Sequence, residues 1–245
     1  MYERNSGWGV VYVAYGERAK KEAFRSITTL RVKNPDVPVT VFTDDQSFRS
    51  LHLVSVVTIA EPLSPFKIKP ISLRQSPYER TIYLDCDTYP IDNISELAEK
   101  LGEADILVAN SPRANNKVRP REFIDFKDRK SYNTGVLAVN MGSTVRSFLE
   151  MWSDRINGIH DDDLRPGYGD QLHFNNLIKE GALKSLSVRM EVIDNNIYNA
   201  RWLALPALRE SGLLENVKIV HTHEPAGSVR YSFPEFNYIL DSAGL

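Results

Sequence analysis

The sequence of 245 residues has few of the features that mark several large classes of protein. Its single cysteine, Cys86, excludes an intrachain disulfide and any cysteine-rich metal site. No apolar run approaches the ~20 residues of a transmembrane helix. The apolar run 10–14 is also too short for the core of a signal peptide. These absences favour a globular protein of the cytoplasm.

An excess of charge of either sign is also missing. Lysine and arginine total 30 and aspartate and glutamate total 32, for a net charge of −2. This balance argues against nucleic acid or an anionic membrane surface as the main partner. The hydrophobic fraction of 42% and the charged fraction of 25% are ordinary for a globular protein. The length suits one α/β domain with its own core, but none of these values names a function.

Strands and helices alternate along the chain. The β-rich run 10–15 predicts a buried strand. A helix is predicted over 17–33 because apolar residues recur at a spacing near 3.6, at Ala19, Ala23, Ile27 and Leu30. Further strands are predicted over 37–43, 53–59, 81–84, 105–109, 135–140, 186–192 and 217–220, and further helices over 69–76, 93–101, 144–157 and 170–180. This alternation predicts an α/β fold with a mainly parallel central sheet flanked by helices and an elaborated second half.

The sharpest motif is a pair of acids that directly follows the predicted strand 81–84. Asp85 and Asp87 stand one residue apart, and ligands of open parallel sheets bind beyond the carboxyl ends of the strands. Two carboxylates in such a turn can share one divalent cation, Mg²⁺ or Mn²⁺, which would neutralise a diphosphate. Aspartate is also common in ordinary turns, so the motif favours a metal site without establishing one.

His221 stands at the end of another predicted strand, 217–220. If this strand joins the same sheet, His221 can reach the cation held by Asp85 and Asp87. A set of two aspartates and a histidine suits Mn²⁺ better than Ca²⁺, because imidazole is a softer ligand. On the local sequence alone a solvated surface histidine is the simpler interpretation, and His223 is a rival ligand.

Other polar residues have both a structural and a functional interpretation. Asp170 opens a predicted helix, where aspartate is a common N-cap, but its carboxylate could also hydrogen-bond sugar hydroxyls at a pocket rim. Lys69 and Arg74 could contact phosphate, although a lone basic residue is more often solvated.

Five ordered segments together resemble the GT-A glycosyltransferases that use nucleotide sugars, in particular the glycogenin and lipopolysaccharide-galactosyltransferase group. They are the strand ending at Tyr15, Lys69 before Tyr83-Leu84-Asp85-Cys86-Asp87, Asn133-Thr134-Gly135-Val136, Gly169-Asp170-Gln171, and Val220-His221. The resemblance implies a single glycosyltransferase domain over 1–245, with a nucleotide-binding half in 1–110. Residues 111–245 are then expected to form the donor-sugar and acceptor half and the tail.

The resemblance also implies roles for individual residues. Asp85, Asp87 and His221 match the ligands of Mn²⁺ (or Mg²⁺), and Asp85 also lies near the donor ribose. Asp170 and Gln171 match the acceptor-side motif beside the reacting sugar carbon and are the expected catalytic residues. The expected donor-binding residues are Tyr15 near the nucleobase, Lys69 at the sugar or phosphate, and Asn133, Gly135 and Asp125 around the sugar.

One segment departs from the group's pattern. The usual Lys-Pro-Trp after the histidine is absent, and the tail 221–230 ends in Arg230, the candidate for the missing cation. The resemblance implies metal-dependent transfer of a hexose from a nucleoside diphosphate sugar, with a UDP-sugar as the expected donor, to a hydroxyl of a glycan. Retention at the sugar carbon is implied, whereas inversion would need a base such as Asp170 or Asp194.

Two other functions stay open. Leu84-Asp85-Cys86-Asp87-Thr88 also fits the Asp-x-Asp-x-Thr pattern of haloacid-dehalogenase-like phosphatases, in which the first aspartate is a nucleophile and the second a general acid and base. That motif usually follows the first strand of its fold, whereas Asp85 comes after several predicted strands and helices. A non-catalytic protein that binds a sugar nucleotide or glycan is the remaining alternative.

Overall fold

The computed structural model describes residues 5–58, 64–111, 131–164 and 169–222. The strands are β1 (Asn5–Ala14), β2 (Val39–Thr43), β3 (Val54–Val57), β4 (Tyr78–Leu84), β5 (Thr88–Pro90), β6 (Ile106–Asn110), β7 (Tyr132–Asn140), β8 (Met190–Ile193), β9 (Ala200–Arg201) and β10 (Ile219–His221). The helices are α1 (Glu17–Lys33), α2 (Pro65–Arg74), α3 (Ser95–Lys100), α4 (Ser143–Asn157), α5 (Asp170–Lys179), α6 (Ala182–Ser185), α7 (Asn195–Tyr198) and α8 (Leu205–Glu210). Short 3-10 turns lie at 46–50, 161–163, 202–204 and 214–216.

The predicted helices agree with the observed ones to different degrees. α1 has the predicted bounds, since its apolar repeat begins after Gly16 and ends before Pro35. α2 begins at Pro65, four residues before the predicted start at Lys69, and it continues through Pro70. Proline is well suited to the first turn of a helix because the amide hydrogen it lacks has no partner there. The predicted helix 69–76 therefore starts four residues too late and ends two residues too late.

A seven-stranded sheet in the order β3-β2-β1-β4-β7-β6-β8 forms the centre of the structure. The pairs β3-β2, β2-β1, β1-β4 and β6-β8 are parallel, as predicted for the alternation of strands and helices. β7 runs antiparallel to both of its neighbours. The sheet therefore combines strands from both halves of the chain and is mostly, but not wholly, parallel.

Two apolar layers cover the faces of this sheet. Alternate residues of β1 point to opposite faces, so Tyr12 packs in one layer and Val11 in the other. Ile27 of α1 contributes to the first layer, and the second contains Trp152 and Phe174 from α4 and α5. Both layers are fully buried, which fixes the strand ends relative to the helices.

A second sheet of three short strands, in the order β5-β10-β9, was not predicted. β5 follows the Asp85–Asp87 turn and pairs antiparallel with β10, with Thr88 opposite His221. Strands of two or three residues are too short to show an apolar alternation, and for this reason the sequence predicted only the strand near 217–220. The sequence predicted that His221 would reach the acidic pair if its strand joined the main sheet. The strand lies in the second sheet instead.

Helices long and apolar enough to cross a membrane are absent from the ranges that the structure describes.

Candidate active site

Three strand ends meet at one edge of the main sheet. β1 and β4 are parallel neighbours, so Tyr15 and Asp85, the residues that follow them, leave the sheet at the same edge. β7 runs the other way and has Val136 opposite Leu84, so it starts where β4 ends. Its first residues, including Gly135, therefore lie at this edge because of the antiparallel direction of β7.

Asp85, Asp87 and His221 form the candidate metal cluster. One ligand atom from each lies within 4.8 Å of the others. Nε2 of His221 lies 3.3 Å from Oδ1 of Asp87. His221 reaches the turn because β10 pairs with β5, immediately after Asp87. The predicted grouping of these three residues is thus present, although His221 arrives from the second sheet.

The ring of His221 is held on two sides. Its Nδ1 lies 2.8 Å from Oδ1 of Asn199, whose own amide nitrogen donates to Asn195. Asn199 therefore accepts at Oδ1, which places a ring hydrogen on Nδ1 and leaves Nε2 facing Asp87. A hydrogen bond from the other ring nitrogen is the usual support of a metal-binding histidine. Sequence reasoning missed Asn199.

A buried network connects the metal cluster to Asp170. Nζ of Lys69 lies 3.0 Å from Oδ1 of Asp85 and 2.6 Å from Oδ2 of Asp170. The hydroxyl of Thr134 donates to the same oxygen of Asp170 at 2.8 Å. Lys69 and Asp170 are both buried. A single ammonium group is thus shared by a candidate metal ligand and a candidate catalytic carboxylate.

This network fixes the ionisation of Lys69. Burial disfavours the ammonium form, but the carboxylates of Asp170 and Asp85 outweigh it, so the pKa of Lys69 is raised. Tyr83 adds a hydrogen bond of 2.9 Å from its hydroxyl to Oδ1 of Asp85. Lys69 therefore remains charged and neutralises part of the acidic cluster.

Asp170 is not the N-cap of α5. Gly169 occupies that position without a side-chain cap, and Asp170 is the first residue of the helix, with its carboxylate turned into the buried network. Nε1 of Trp152 donates to the carbonyl of Asp170 at 2.9 Å, which holds the backbone from the other side. The structural interpretation of Asp170 as a cap is therefore wrong.

Gln171 and Asn133 are hydrogen-bonded to each other across α5 and β7. Nδ2 of Asn133 donates to Oε1 of Gln171 at 3.1 Å, and Oδ1 of Asn133 accepts from the amide of Gly135 at 2.9 Å. Gln171 also reaches Ser111 through its Nε2 at 3.4 Å. The two predicted site residues therefore lie together beside Asp170, at the start of β7.

A cavity of about 530 Å³ opens beside the candidate metal cluster. It is lined by Tyr15, Gly16, Glu17, Arg18, Ala19, Glu22, Cys86 and Asp87. Gly16 has a φ of 81°, a conformation that favours glycine and that turns β1 sharply into α1. Tyr15 and Asp87 thus line the same cavity.

Two predicted donor-binding residues, Asp125 and Arg230, lie outside the described residues. Tyr83 and Thr134 contact Asp85 and Asp170, and the sequence motifs contained them without giving them a role. Tyr83 stands two residues before Asp85, so the alternation of β4 could have shown that both project to the same face. Thr134 had no comparable local signal, because its contact with Asp170 depends on α5.

No family model matches the sequence, and no curated protein sequence matches it significantly. Solved structures do match. The glycosyltransferase GlyE of Streptococcus pneumoniae TIGR4 aligns with a TM-score of 0.64 at 15% identity, over 97% of this chain and 63% of GlyE. The galactosyltransferase LgtC, solved with donor and acceptor sugar analogs, aligns with a TM-score of 0.61 at 16% identity, over 96% of this chain and 95% of LgtC.

A third neighbour is mouse xyloside xylosyltransferase 1, with a TM-score of 0.55 at 15% identity, over 88% of this chain and 97% of that protein. At such identities the likeness is one of fold. The chain therefore has the GT-A-like α/β fold of these glycosyltransferases, as the sequence predicted. It spans 63% of the length of GlyE.

Proposed function

We propose that the protein transfers a sugar from a nucleoside diphosphate sugar to a hydroxyl group of a glycan, with the help of a divalent cation. The observation that carries the proposal is the cluster of Asp85, Asp87 and His221 beside a cavity of about 530 Å³. In a GT-A-like fold this combination suits a donor whose base occupies the cavity and whose diphosphate lies over the acidic turn. The proposed donor is a UDP-sugar, and the proposed transferred sugar is a hexose.

The chemistry of the cluster fits a divalent cation such as Mn²⁺ or Mg²⁺. Nε2 of His221 faces a carboxylate oxygen of Asp87 only 3.3 Å away. Asp85, Asp87 and His221 thus each offer one ligand atom within 4.8 Å of the others. Mixed nitrogen and oxygen ligands suit Mn²⁺. When bound, the cation would offset the charge that develops on the departing diphosphate.

In the proposed reaction the bond between the sugar carbon and the diphosphate oxygen breaks, and a bond to the acceptor oxygen forms. The hydroxyl proton of the acceptor passes to an oxygen of the diphosphate, and the nucleoside diphosphate departs with the bonding electron pair and this proton. Lys69 keeps Asp85 and Asp170 in fixed positions through contacts of 3.0 and 2.6 Å. Asp170 and Gln171 then orient the sugar and the acceptor hydroxyl at the start of α5.

We propose retention at the sugar carbon. Oδ2 of Asp170 is already engaged by Lys69 and by the hydroxyl of Thr134, whereas the base of an inverting reaction must be directed at the acceptor hydroxyl. The other candidate base, Asp194, accepts the amide hydrogen of Asn196 as the N-cap of α7. Neither acid is arranged as a free base. The anomeric configuration of the product, read by proton NMR, tests this part of the proposal.

The decisive experiment measures thermal unfolding with a panel of nucleoside diphosphates and their sugars, with and without Mn²⁺. We expect one base to stabilise the protein only when the metal is present. Mass spectrometry of acceptor mixtures then tests transfer. Asp87→Asn should abolish the metal-dependent stabilisation and transfer, whereas Asp163→Asn, on an exposed turn, should leave both unchanged. Unaltered Mn²⁺-dependent binding and turnover in Asp87→Asn would refute the proposal.

The same assays separate the alternatives. A haloacid-dehalogenase-like phosphatase would release phosphate from small phosphoesters without binding sugar nucleotides, but Asp85 follows the fourth strand of a GT-A-like fold. A non-catalytic protein would bind the donor and the metal without turnover. The division into halves at residue 110 and a location in the cytoplasm stay predictions.

A further inference from the structure

Arg201 is a partly buried cation on the sheet that carries His221. β9 pairs parallel with β10, and Arg201 lies directly opposite His221. Residues opposite each other project from the same face, and neighbouring strands lie about 4.8 Å apart. The His221 ring projects toward Asp87. The side chain of Arg201 therefore leaves the small sheet on the face of the candidate metal cluster.

The guanidinium of Arg201 is not fully used by the fold. Its Nε is buried and finds no hydrogen-bond partner among the residues that the structure describes. A buried donor without a partner is uncommon in native proteins and indicates a ligand, a water molecule or stored strain. Burial lowers the pKa of Arg201 to about 10, and the Asp87 carboxylate opposes this shift. Arg201 is therefore charged at neutral pH and lies near Asp87.

Lys69, a buried cation of the same site, is already paired with carboxylates. Lys69 contacts Asp85, Asp170 and Thr134 and is buried. Its positive charge is thus compensated by two carboxylates inside the protein. A nucleoside diphosphate brings further negative charge to the same place, which one divalent cation beside Asp85 and Asp87 neutralises only in part. A second positive group facing the ligand is needed, and Arg201 is suitably placed.

We propose that Arg201 binds the diphosphate of the nucleotide, from the face of the β9–β10 pair, as a positive group additional to the metal. This inference rests on the proposed function. The planar guanidinium would donate N–H groups to phosphate oxygens, a geometry that arginine supplies better than lysine. As the nucleoside diphosphate departs, the same contacts stabilise its growing negative charge.

The test uses the full chain and two binding measurements. Isothermal titration calorimetry in the presence of Mn²⁺ gives the affinity for UDP, GDP, ADP and CDP, and the electron paramagnetic resonance signal of free Mn²⁺ gives the affinity for the metal alone. Arg201→Met removes the charge but keeps an apolar side chain of similar length. Arg201→Lys keeps the charge but lacks the planar guanidinium with its several N–H donors. Arg189→Met is the control, because Arg189 is exposed and pairs with Asp105. Arg189 directly precedes β8, an edge strand of the main sheet.

We expect Arg201→Met to weaken the nucleoside diphosphate bound best by the wild type about tenfold or more, as for loss of a charge-assisted hydrogen bond. Arg201→Lys should recover part of this loss, and Arg189→Met should bind like the wild type. Binding of Mn²⁺ alone should not weaken in any variant, because the loss of a positive charge near Asp87 does not disfavour a bound cation.

Three results would overturn the inference. Wild-type affinity in Arg201→Met leaves the proposed function intact and removes only the role of Arg201. An equal loss of Mn²⁺ and nucleotide binding in both Arg201 variants would mean that Arg201 positions Asp87 instead. Failure of the wild type to bind any of the four nucleotides would overturn both this inference and the proposed function.

Discussion

Gly135 is packed directly against the ring of His221. A Cβ built on Gly135 would lie 2.4 Å from Cε1 and 2.9 Å from Nδ1 of His221. The carbonyl of Gly135 also accepts from the amide of Asp85 at 2.8 Å. One residue of β7 thus contacts metal-ligand candidates from both sheets, and its missing side chain is what allows the two sheets to meet.

We expect Gly135→Ala to lower the affinity for Mn²⁺ about tenfold or more, comparable to the loss of a residue that orients a metal ligand. The added methyl group must push the ring of His221 away, because Asn199 and Asp87 hold the ring and leave it little freedom to turn. The electron paramagnetic resonance signal of free Mn²⁺ measures the change.

Gly142→Ala is the matched control, since a Cβ at Gly142 would meet no atom within 4 Å and its φ of −70° suits any residue. The control should bind Mn²⁺ like the wild type. Equal Mn²⁺ affinity in Gly135→Ala and Gly142→Ala would contradict the expected displacement of His221.

Local patterns were enough to predict the parts of the fold that depend on local order. The period of apolar residues gave α1 its bounds, and the apolar run before Asp85 placed the acidic turn at a strand end. The direction of β7 depends on its pairing with β4 and β6. No local pattern encodes that direction, although it explains why Gly135 lies at the site.

The sequence allowed the kinds of residue in the candidate site to be predicted, but not the contacts that bring them together. Asp85 and Asp87 carry a spacing that suggests a shared cation, but His221 reaches them through a pair of strands three residues long. The support from Asn199 and the orphan nitrogen of Arg201 follow from the same small sheet. Such contacts join distant parts of the chain, so neither composition nor periodicity could indicate them.

Lys69 and Lys67 test the energetic cost of burying an ion pair. Both lie on α2. Nζ of Lys69 lies 2.6 Å from a carboxylate oxygen of Asp170, and Nζ of Lys67 lies 2.6 Å from a carboxylate oxygen of Asp161. Lys69 and Asp170 are each 8% exposed, whereas Asp161 is 49% exposed. Removing one partner of a buried pair leaves an uncompensated charge, which costs about 3–5 kcal/mol.

We therefore expect Lys69→Met to lower the free energy of unfolding by about 3–5 kcal/mol, and Lys67→Met by no more than about 1 kcal/mol. Urea denaturation measures both. The double variant Lys69→Met, Asp170→Asn should be more stable than the sum of the two single effects predicts. Similar losses in Lys67→Met and Lys69→Met would mean that the network around Asp85 is solvated.

Gly169 gives a test of how α5 is positioned. A Cβ at Gly169 would lie 2.4 Å from Cδ1 of Phe66, and the next residue is Asp170. We expect Gly169→Ala to destabilise the protein by about 1–3 kcal/mol, as for other overpacked sites. It should also lower the proposed transferase activity, because the start of α5 must shift with Asp170 and Gln171.

Phe66→Ala should rescue this variant by removing the ring that the new methyl group meets. The interaction energy from the double-mutant cycle should reach about 1 kcal/mol or more in the favourable direction. Calorimetric unfolding of the wild type, the two single variants and the double variant provides the cycle. Strictly additive effects would show that Gly169→Ala acts through something other than Phe66.

Asn199 should control the metal affinity of His221 without touching the metal. Its Oδ1 accepts from Nδ1 of His221 at 2.8 Å, and the residue is fully buried. Asn199→Ala removes the acceptor that keeps the ring hydrogen on Nδ1, so we expect Mn²⁺ affinity to fall about 10–100-fold, the usual range for such supporting residues. Asn216→Ala, on an exposed turn before β10, should change it by less than about twofold. If Mn²⁺ binds equally well to Asn199→Ala and the wild type, His221 is not a ligand of the metal, and the cluster must be reassigned to Asp85 and Asp87 alone.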